Sequence, residues 1–99
     1  MTIYIIYGTT GENDDWRRWT VKATRSLERA EQVSNQLNQW CMDNGVHRSA
    51  PKDDLRIKYF GRDDNALLPD SVRCPLDSQF EFDYSGSDYF FELCELEDE

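Results

Sequence analysis

The side chains capable of covalent or metal chemistry are few and widely separated. The only thiols and the only imidazole belong to Cys41, Cys74, Cys94 and His47. A hydrolytic triad needs a nucleophile that faces a base oriented by a third group. Structural zinc sites usually take ligands that are paired a few residues apart. Neither pattern is present, so we expect no catalytic residue, no resident metal and no cofactor.

Two kinds of loop motif suggest ligand binding. Residues 8–11 (Gly-Thr-Thr-Gly) follow a predicted strand, as phosphate loops do, but lack the Gly-Lys-Ser/Thr ending and the third glycine of nucleotide motifs. Acidic doublets at 14–15, 53–54 and 63–64 offer carboxylate oxygens to a divalent cation. Turn formation explains the aspartates equally well. Cation binding stays open, and with it a small metal-dependent enzyme as an alternative.

The charge is distributed unevenly along the chain. Its 99 residues carry 11 basic and 20 acidic side chains, for a net charge of −9. Residues 1–69 hold ten acids and ten bases, whereas residues 70–99 hold ten acids and only Arg73. Affinity for nucleic acid comes largely from lysines and arginines that neutralise phosphates. The composition therefore argues against direct binding of nucleic acid.

The acidic region is rich in aromatic residues, which a disordered acidic tail would lack. The alternation of residues 80–84 predicts a strand, residues 85–87 a turn and residues 88–95 a returning strand. Glu81 and Asp83 would then project from one face, about 6.6–6.8 Å apart, with Glu92 joining from the opposing strand. Such an array would attract a basic protein surface, unless it is only a solvated face. The candidate partner-binding residues are Asp77, Glu81, Asp83, Tyr84, Asp88, Tyr89, Glu92 and Glu95.

The remaining elements follow from periodicity. Residues 2–7 predict a central strand and residues 16–23 a half-buried one, with Trp19 and Ala23 on the inward face. Ser26 caps a helix over 27–44, and residues 55–60 predict a further strand. The expected fold is a single α+β domain (1–99): a mainly antiparallel sheet of four to five strands with one long helix packed on one face.

The chain has neither a run of about 18 apolar residues nor a signal-peptide pattern. We therefore expect no membrane association. An odd number of scattered cysteines is typical of reduced thiols. The expected location is the cytoplasm.

Two stretches, Tyr-Ile-Ile-Tyr-Gly-Thr-Thr-Gly-Glu at 4–12 and Phe-Asp-Tyr-Ser-Gly-Ser-Asp-Tyr-Phe at 82–90, resemble small phage and prophage proteins of unassigned role. The helix opening at 26–30 is similar to theirs. In size and acidity the chain also resembles phage-encoded anti-CRISPR proteins and DNA mimics. This resemblance implies a non-enzymatic inhibitor of a bacterial immune nucleoprotein complex, acting in the host cytoplasm. The resemblance does not assign a functional role to any individual residue of this chain.

The main alternative is an accessory phage protein that binds a partner without mimicry. It would bind through the amide-rich face of the helix or form a homodimer through exposed aromatic side chains. The amides of this face are Gln32, Asn35, Gln36, Asn38 and Gln39.

Overall fold

The computed structural model describes residues 1–49, 73–82 and 85–97, with Asp15 described for its backbone alone. Its elements are the strand β1 (Thr2–Thr10), a 3-10 turn (Asn13–Asp15), the strand β2 (Arg17–Thr24), the helix α1 (Leu27–Asp43) and the strand β3 (Ser87–Glu95). The strands form one antiparallel sheet in the order β2-β1-β3. The α+β class and the central position of the first strand are therefore confirmed.

The described sheet has three strands rather than the four to five predicted. The strand expected at 55–60 lies outside the described residues. Residues 80–82 belong to no strand, and residues 83–84 are not described. The last strand pairs with β1 along its whole length, from Thr2 opposite Glu95 to Thr10 opposite Ser87. In its described residues the acidic region therefore joins the sheet through a single strand, β3, and this strand pairs over a long range with β1 instead of forming the predicted local hairpin.

A β-bulge alters the faces of β2. The register slips between Ile6 and Tyr7, which pair with Lys22 and Thr20 and leave Val21 without an opposite residue. An extra residue reverses the alternation of side chains beyond it. Ala23, predicted to point inward, is consequently exposed, and the next residue along is half-buried in its place.

The helix α1 begins and ends close to its predicted limits. The Ser26 hydroxyl accepts a hydrogen bond from the backbone N–H of Arg29 at 3.1 Å, satisfying a donor that the first turn leaves free. At the other end, Gly45 adopts a φ of 70°, a conformation that lets the chain leave the helix axis. The helix packs on the sheet through a stripe of buried residues at spacings of three and four, namely Ala30, Val33, Ser34, Leu37 and Cys41.

The core lies between α1, one face of the sheet and the segment 73–82. Phe80 contacts the Trp40 ring edge-on at 5.0 Å between centroids and stacks on Phe82 at 5.9 Å. Both phenylalanines are buried beside Ile6 and Leu37. The alternation of aromatic residues at 80–82 therefore marks side chains inserted into the core by an irregular segment.

Candidate binding surface

Asp77, predicted on the rim of the acidic surface, lies instead in the interior with 6% of its surface exposed. One carboxylate oxygen accepts hydrogen bonds from the indole N–H of Trp19 and the hydroxyl of Tyr89, both at 2.8 Å. The other accepts from the backbone N–H of Gln79 at 3.1 Å. Both carboxylate oxygens therefore accept hydrogen bonds from the protein itself. Asp77 has a structural role and is no longer a candidate partner-binding residue.

Tyr89 is likewise removed from the surface, with 4% exposed. Burial, reinforced by the hydrogen bond to Asp77, raises the pKa of Tyr89 far above its ordinary value. Its hydroxyl is therefore a permanent donor to that carboxylate. The ring packs edge-on against Trp19 with centroids 6.0 Å apart. A side chain held in this way anchors the core and cannot act as an aromatic anchor for a partner.

Two of the predicted acids are paired with arginines of the chain itself. Asp88 accepts from the Thr9 hydroxyl and lies 3.4 Å from Nε of Arg48, in a half-buried ion pair. The carboxylate of Glu81 lies 3.8 Å from Nε of Arg17, and both side chains are 54% exposed. An exposed pair of this kind is worth about 0–1 kcal/mol. The charge of Asp88 is therefore compensated, whereas that of Glu81 is only weakly compensated.

Glu81 and Glu92, which were predicted to form part of one acidic array, do not lie side by side. The Ser87 hydroxyl donates to the backbone carbonyl of Glu81 at 2.7 Å, which places Glu81 at the start of β3. Glu92 lies five residues further along the strand, or about 17 Å. Asp83 and Tyr84 lie outside the described residues. The acids that were expected to share one face are therefore separated along the sheet.

Three further acids lie on the far half of β3 and just after it. Glu92, Glu95 and Glu97 are exposed, and among the described residues none of them is ion-paired. The carboxylate of Glu95 accepts a hydrogen bond from the Thr2 hydroxyl at 2.8 Å. Two large apolar side chains lie among them, Leu93 with 58% and Leu96 with 41% exposed. The end of β3 is therefore an exposed stretch of mixed acidic and apolar side chains.

The hydrogen-bonding pattern shows which backbone groups of β3 face outward. Met1 and Leu96 exchange two hydrogen bonds of 2.8 Å, so Leu96 points its backbone groups at β1. In an antiparallel pair such residues alternate with residues that point away. The backbone groups of the odd-numbered residues 87–95 therefore face the outer edge of the sheet.

The first part of this outer edge is covered. Ser87 bonds the carbonyl of Val46 and the N–H of Arg48, both at 2.8 Å. The side-chain amide of Asn38 then bonds both backbone groups of Tyr89, accepting from its N–H at 2.8 Å and donating to its carbonyl at 2.9 Å. Asn38 thus takes the place of a neighbouring strand. Asn38 belongs to the amide-rich helix face that the sequence suggested as a binding surface, and its role in the fold is structural.

Beyond Asn38 the edge is open. Within the described part of the chain, the outward N–H and C=O groups of Phe91, Leu93 and Glu95 have no hydrogen-bond partner. We call residues 91–95 the open edge. Sequence reasoning singled out the acids of this region but not its backbone groups, because the pairing of β3 with β1 is not visible in local patterns.

A shallow cavity lies elsewhere, between β2, α1 and residues 76–79. Its volume is about 280 Å³. Lys22 and Arg29 contribute to its lining together with Val33, Leu37 and Leu76. Asp77 also lines it, but both its oxygens already accept hydrogen bonds from the protein. A cavity of this volume is slightly below the usual range of small-molecule pockets.

Within the described residues, the groups with reactive chemistry are not assembled into a site. Burial raises the pKa of Cys41 to about 12 and also raises that of Cys74, so both are neutral thiols. Burial lowers the pKa of His47, whose Nδ1 accepts from the backbone N–H of Ser49 at 3.1 Å. The described ranges bring together no group of three or more His, Cys, Asp or Glu residues that could hold a metal ion.

No protein-family model matches the chain, and neither a curated protein nor a solved structure matches it. Among the described residues, no helix is long and apolar enough to cross a membrane. The fold and the surface at the end of β3 are therefore the basis for any functional conclusion.

Proposed function

We propose that this chain is a non-enzymatic protein-binding domain whose exposed acids on β3 and just after it bind a partner with a basic surface. The observation that carries the proposal is the position of Glu92, Glu95 and Glu97. They lie beside Leu93 and Leu96, and no arginine or lysine of the described residues pairs with them. Uncompensated charge steers a partner of opposite charge, and neighbouring apolar side chains add affinity once contact is made.

The partner we propose is a protein whose lysines and arginines normally bind nucleic acid. By occupying that surface, the chain would act as an inhibitor, and a bacterial immune nucleoprotein complex is the case suggested by the sequence resemblance. The setting would then be the cytoplasm of a host bacterium. Because Asp77 and Tyr89 are buried and Asp88 is ion-paired, the binding surface that we propose consists of the far half of β3 and the exposed Glu81.

The test is affinity capture from a bacterial lysate cleared of nucleic acid, with a matched pair of variants. Glu92→Lys/Glu95→Lys reverses two acids of the proposed surface, and Asp14→Lys/Glu31→Lys reverses two exposed acids elsewhere. Both variants shift the net charge by four, from −9 to −5. We expect nucleic-acid-binding proteins to be captured by the wild type and the control. The β3 variant should retain roughly tenfold less, because its charge complementarity is lost.

Salt provides a second readout. Capture that depends on these carboxylates should weaken between about 50 and 300 mM salt, because screening shortens the range of exposed charges. Equal losses in the two variants would show that net charge alone acts and would contradict the assigned surface. Undiminished capture by the β3 variant would overturn the proposal.

A further inference from the structure

We infer that the open edge of β3 binds an extended basic segment of the partner as an additional strand of the sheet. This inference rests on the proposed function and adds the mode of binding. Strand addition uses main-chain hydrogen bonds for affinity and alternate side chains for specificity. The open edge offers both, since its outward backbone groups lack partners within the described residues and the side chains of Glu92, Leu93 and Glu95 are exposed.

The length of the open edge defines the length of the added segment. Phe91, Leu93 and Glu95 each present one N–H and one C=O, so three residues of an incoming strand can pair directly with them. Toward the start of β3, the Asn38 amide already occupies the backbone groups of Tyr89. An added strand must therefore end beside α1, and it spans about five residues.

The side chains on the two faces of β3 define the chemistry of the segment. Successive side chains of a strand point to opposite faces. Leu93 and Glu95 share the face of the buried Tyr89, while Glu92 lies on the other face. Negative charge thus flanks the open edge on both faces. A segment that carries lysine or arginine on both sides of one apolar residue, placed opposite Leu93, complements it.

A second copy of the chain is the competing occupant. Two β3 edges paired with each other would bring Glu92 and Glu95 of both copies together, and like charges on adjacent strands repel. The opposite edge strand, β2, is basic through Arg17, Arg18 and Lys22. Pairing of β2 of one copy with β3 of another would join two different surfaces, however. Such an assembly keeps a free edge at each end and can add further copies without limit. We therefore assign the edge to a separate partner.

The probe is the synthetic peptide acetyl-Lys-Arg-Val-Lys-Arg-amide, and the measurement is residue-resolved amide hydrogen exchange by NMR on the whole chain. In the free protein, the outward amides of Phe91, Leu93 and Glu95 should exchange faster than the inward amides of Glu92 and Cys94. Saturating peptide should slow the outward amides by about tenfold or more, since pairing protects them. The control peptide acetyl-Lys-Arg-Pro-Lys-Arg-amide keeps the charges but lacks the central N–H, and it should protect less.

The outcomes separate the inference from the proposed function. Peptide binding that shifts the resonances of Glu92 and Glu95 without slowing the outward amides would support charge recognition and overturn strand addition. Absence of binding, together with lysate capture that depends on Glu92 and Glu95, would also overturn strand addition alone. Protection of these amides that rises with protein concentration without peptide would assign the edge to a second copy and contradict the inference.

Discussion

Trp19 donates its indole N–H to Asp77 at 2.8 Å, joining β2 to a residue 58 positions further along the chain. The same carboxylate oxygen accepts from Tyr89 on β3, so one buried group links both edge strands. Buried carboxylates are tolerated where hydrogen bonds replace lost hydration. The irregular segment 73–82 is fastened to the sheet in this way, and the loss of either donor or acceptor has measurable consequences.

Replacement of Asp77 should be among the more destabilising single changes. Asp77→Ala leaves the Trp19 N–H and the Tyr89 hydroxyl without their acceptor, and the free energy of unfolding should fall by about 2–4 kcal/mol. Asp77→Asn retains one acceptor oxygen and should cost less. Urea denaturation checks both values. An alanine variant as stable as the wild type would show that the network contributes nothing.

A side chain at position 8 should displace Trp19. A Cβ on Gly8 would lie 2.4 Å from Cε2 of the indole, closer than atoms can approach. Gly8→Ala should therefore cost about 1–3 kcal/mol as the ring moves and its bond to Asp77 is strained. Thr20→Ala, on the exposed side of the same strand pair, is the control and should change stability little. Unfolding curves and near-ultraviolet circular dichroism report both effects, and an unchanged tryptophan signal would refute this packing.

Removal of the Asn38 amide should expose the middle of β3. Asn38→Ala deletes both hydrogen bonds to the backbone of Tyr89 and should cost about 1–3 kcal/mol. Asn35→Ala removes an exposed amide from the same helix and serves as the matched control. Hydrogen exchange at the Tyr89 amide should accelerate in the Asn38 variant alone. Equal exchange in the two variants would contradict the assigned role.

The buried thiol of Cys41 should make stability decline at alkaline pH. Burial raises its pKa from 9.0 to about 12, so above pH 9 the unfolded chain loses this proton while the native chain keeps it. Stability is then fully present below pH 9 and is lost as pH rises toward 12. Cys41→Ala should show a shallower decline, with Cys74 and Tyr89 still acting in the same direction. Urea denaturation from pH 8 upward tests this, and identical slopes would disprove it.

The elements set by local signals could be predicted from sequence. The hydroxyl of Ser26 and the left-handed Gly45 mark the ends of α1. β-Branched and aromatic residues mark β1 over residues 2–7, short of its end at Thr10, and alternation marks most of β2. The error at Ala23 arose because a bulge depends on the pairing of two strands, which local alternation does not reveal.

The candidate surface was harder to predict because burial depends on distant residues. Asp77 is accommodated in the interior because Trp19 and Tyr89 supply donors from β2 and β3. The alternation of aromatic residues at 80–82 arises because both phenylalanines insert into the core. A half-buried strand has the same period of two, so sequence cannot tell the two structures apart. Glu92 and Glu95 remain on the surface as expected, while the backbone groups beside them, which have no partner in the described part of the chain, become visible only in the order of the strands.

The amide of Asn38 also limits how firmly any strand could be held. It leaves an edge of about five residues, or roughly 17 Å. A contact along an edge of this length buries far less surface than the roughly 800 Å² per partner that durable complexes bury. A complex formed only here would therefore be transient, with rapid dissociation. Long residence would require a second point of attachment elsewhere on the domain.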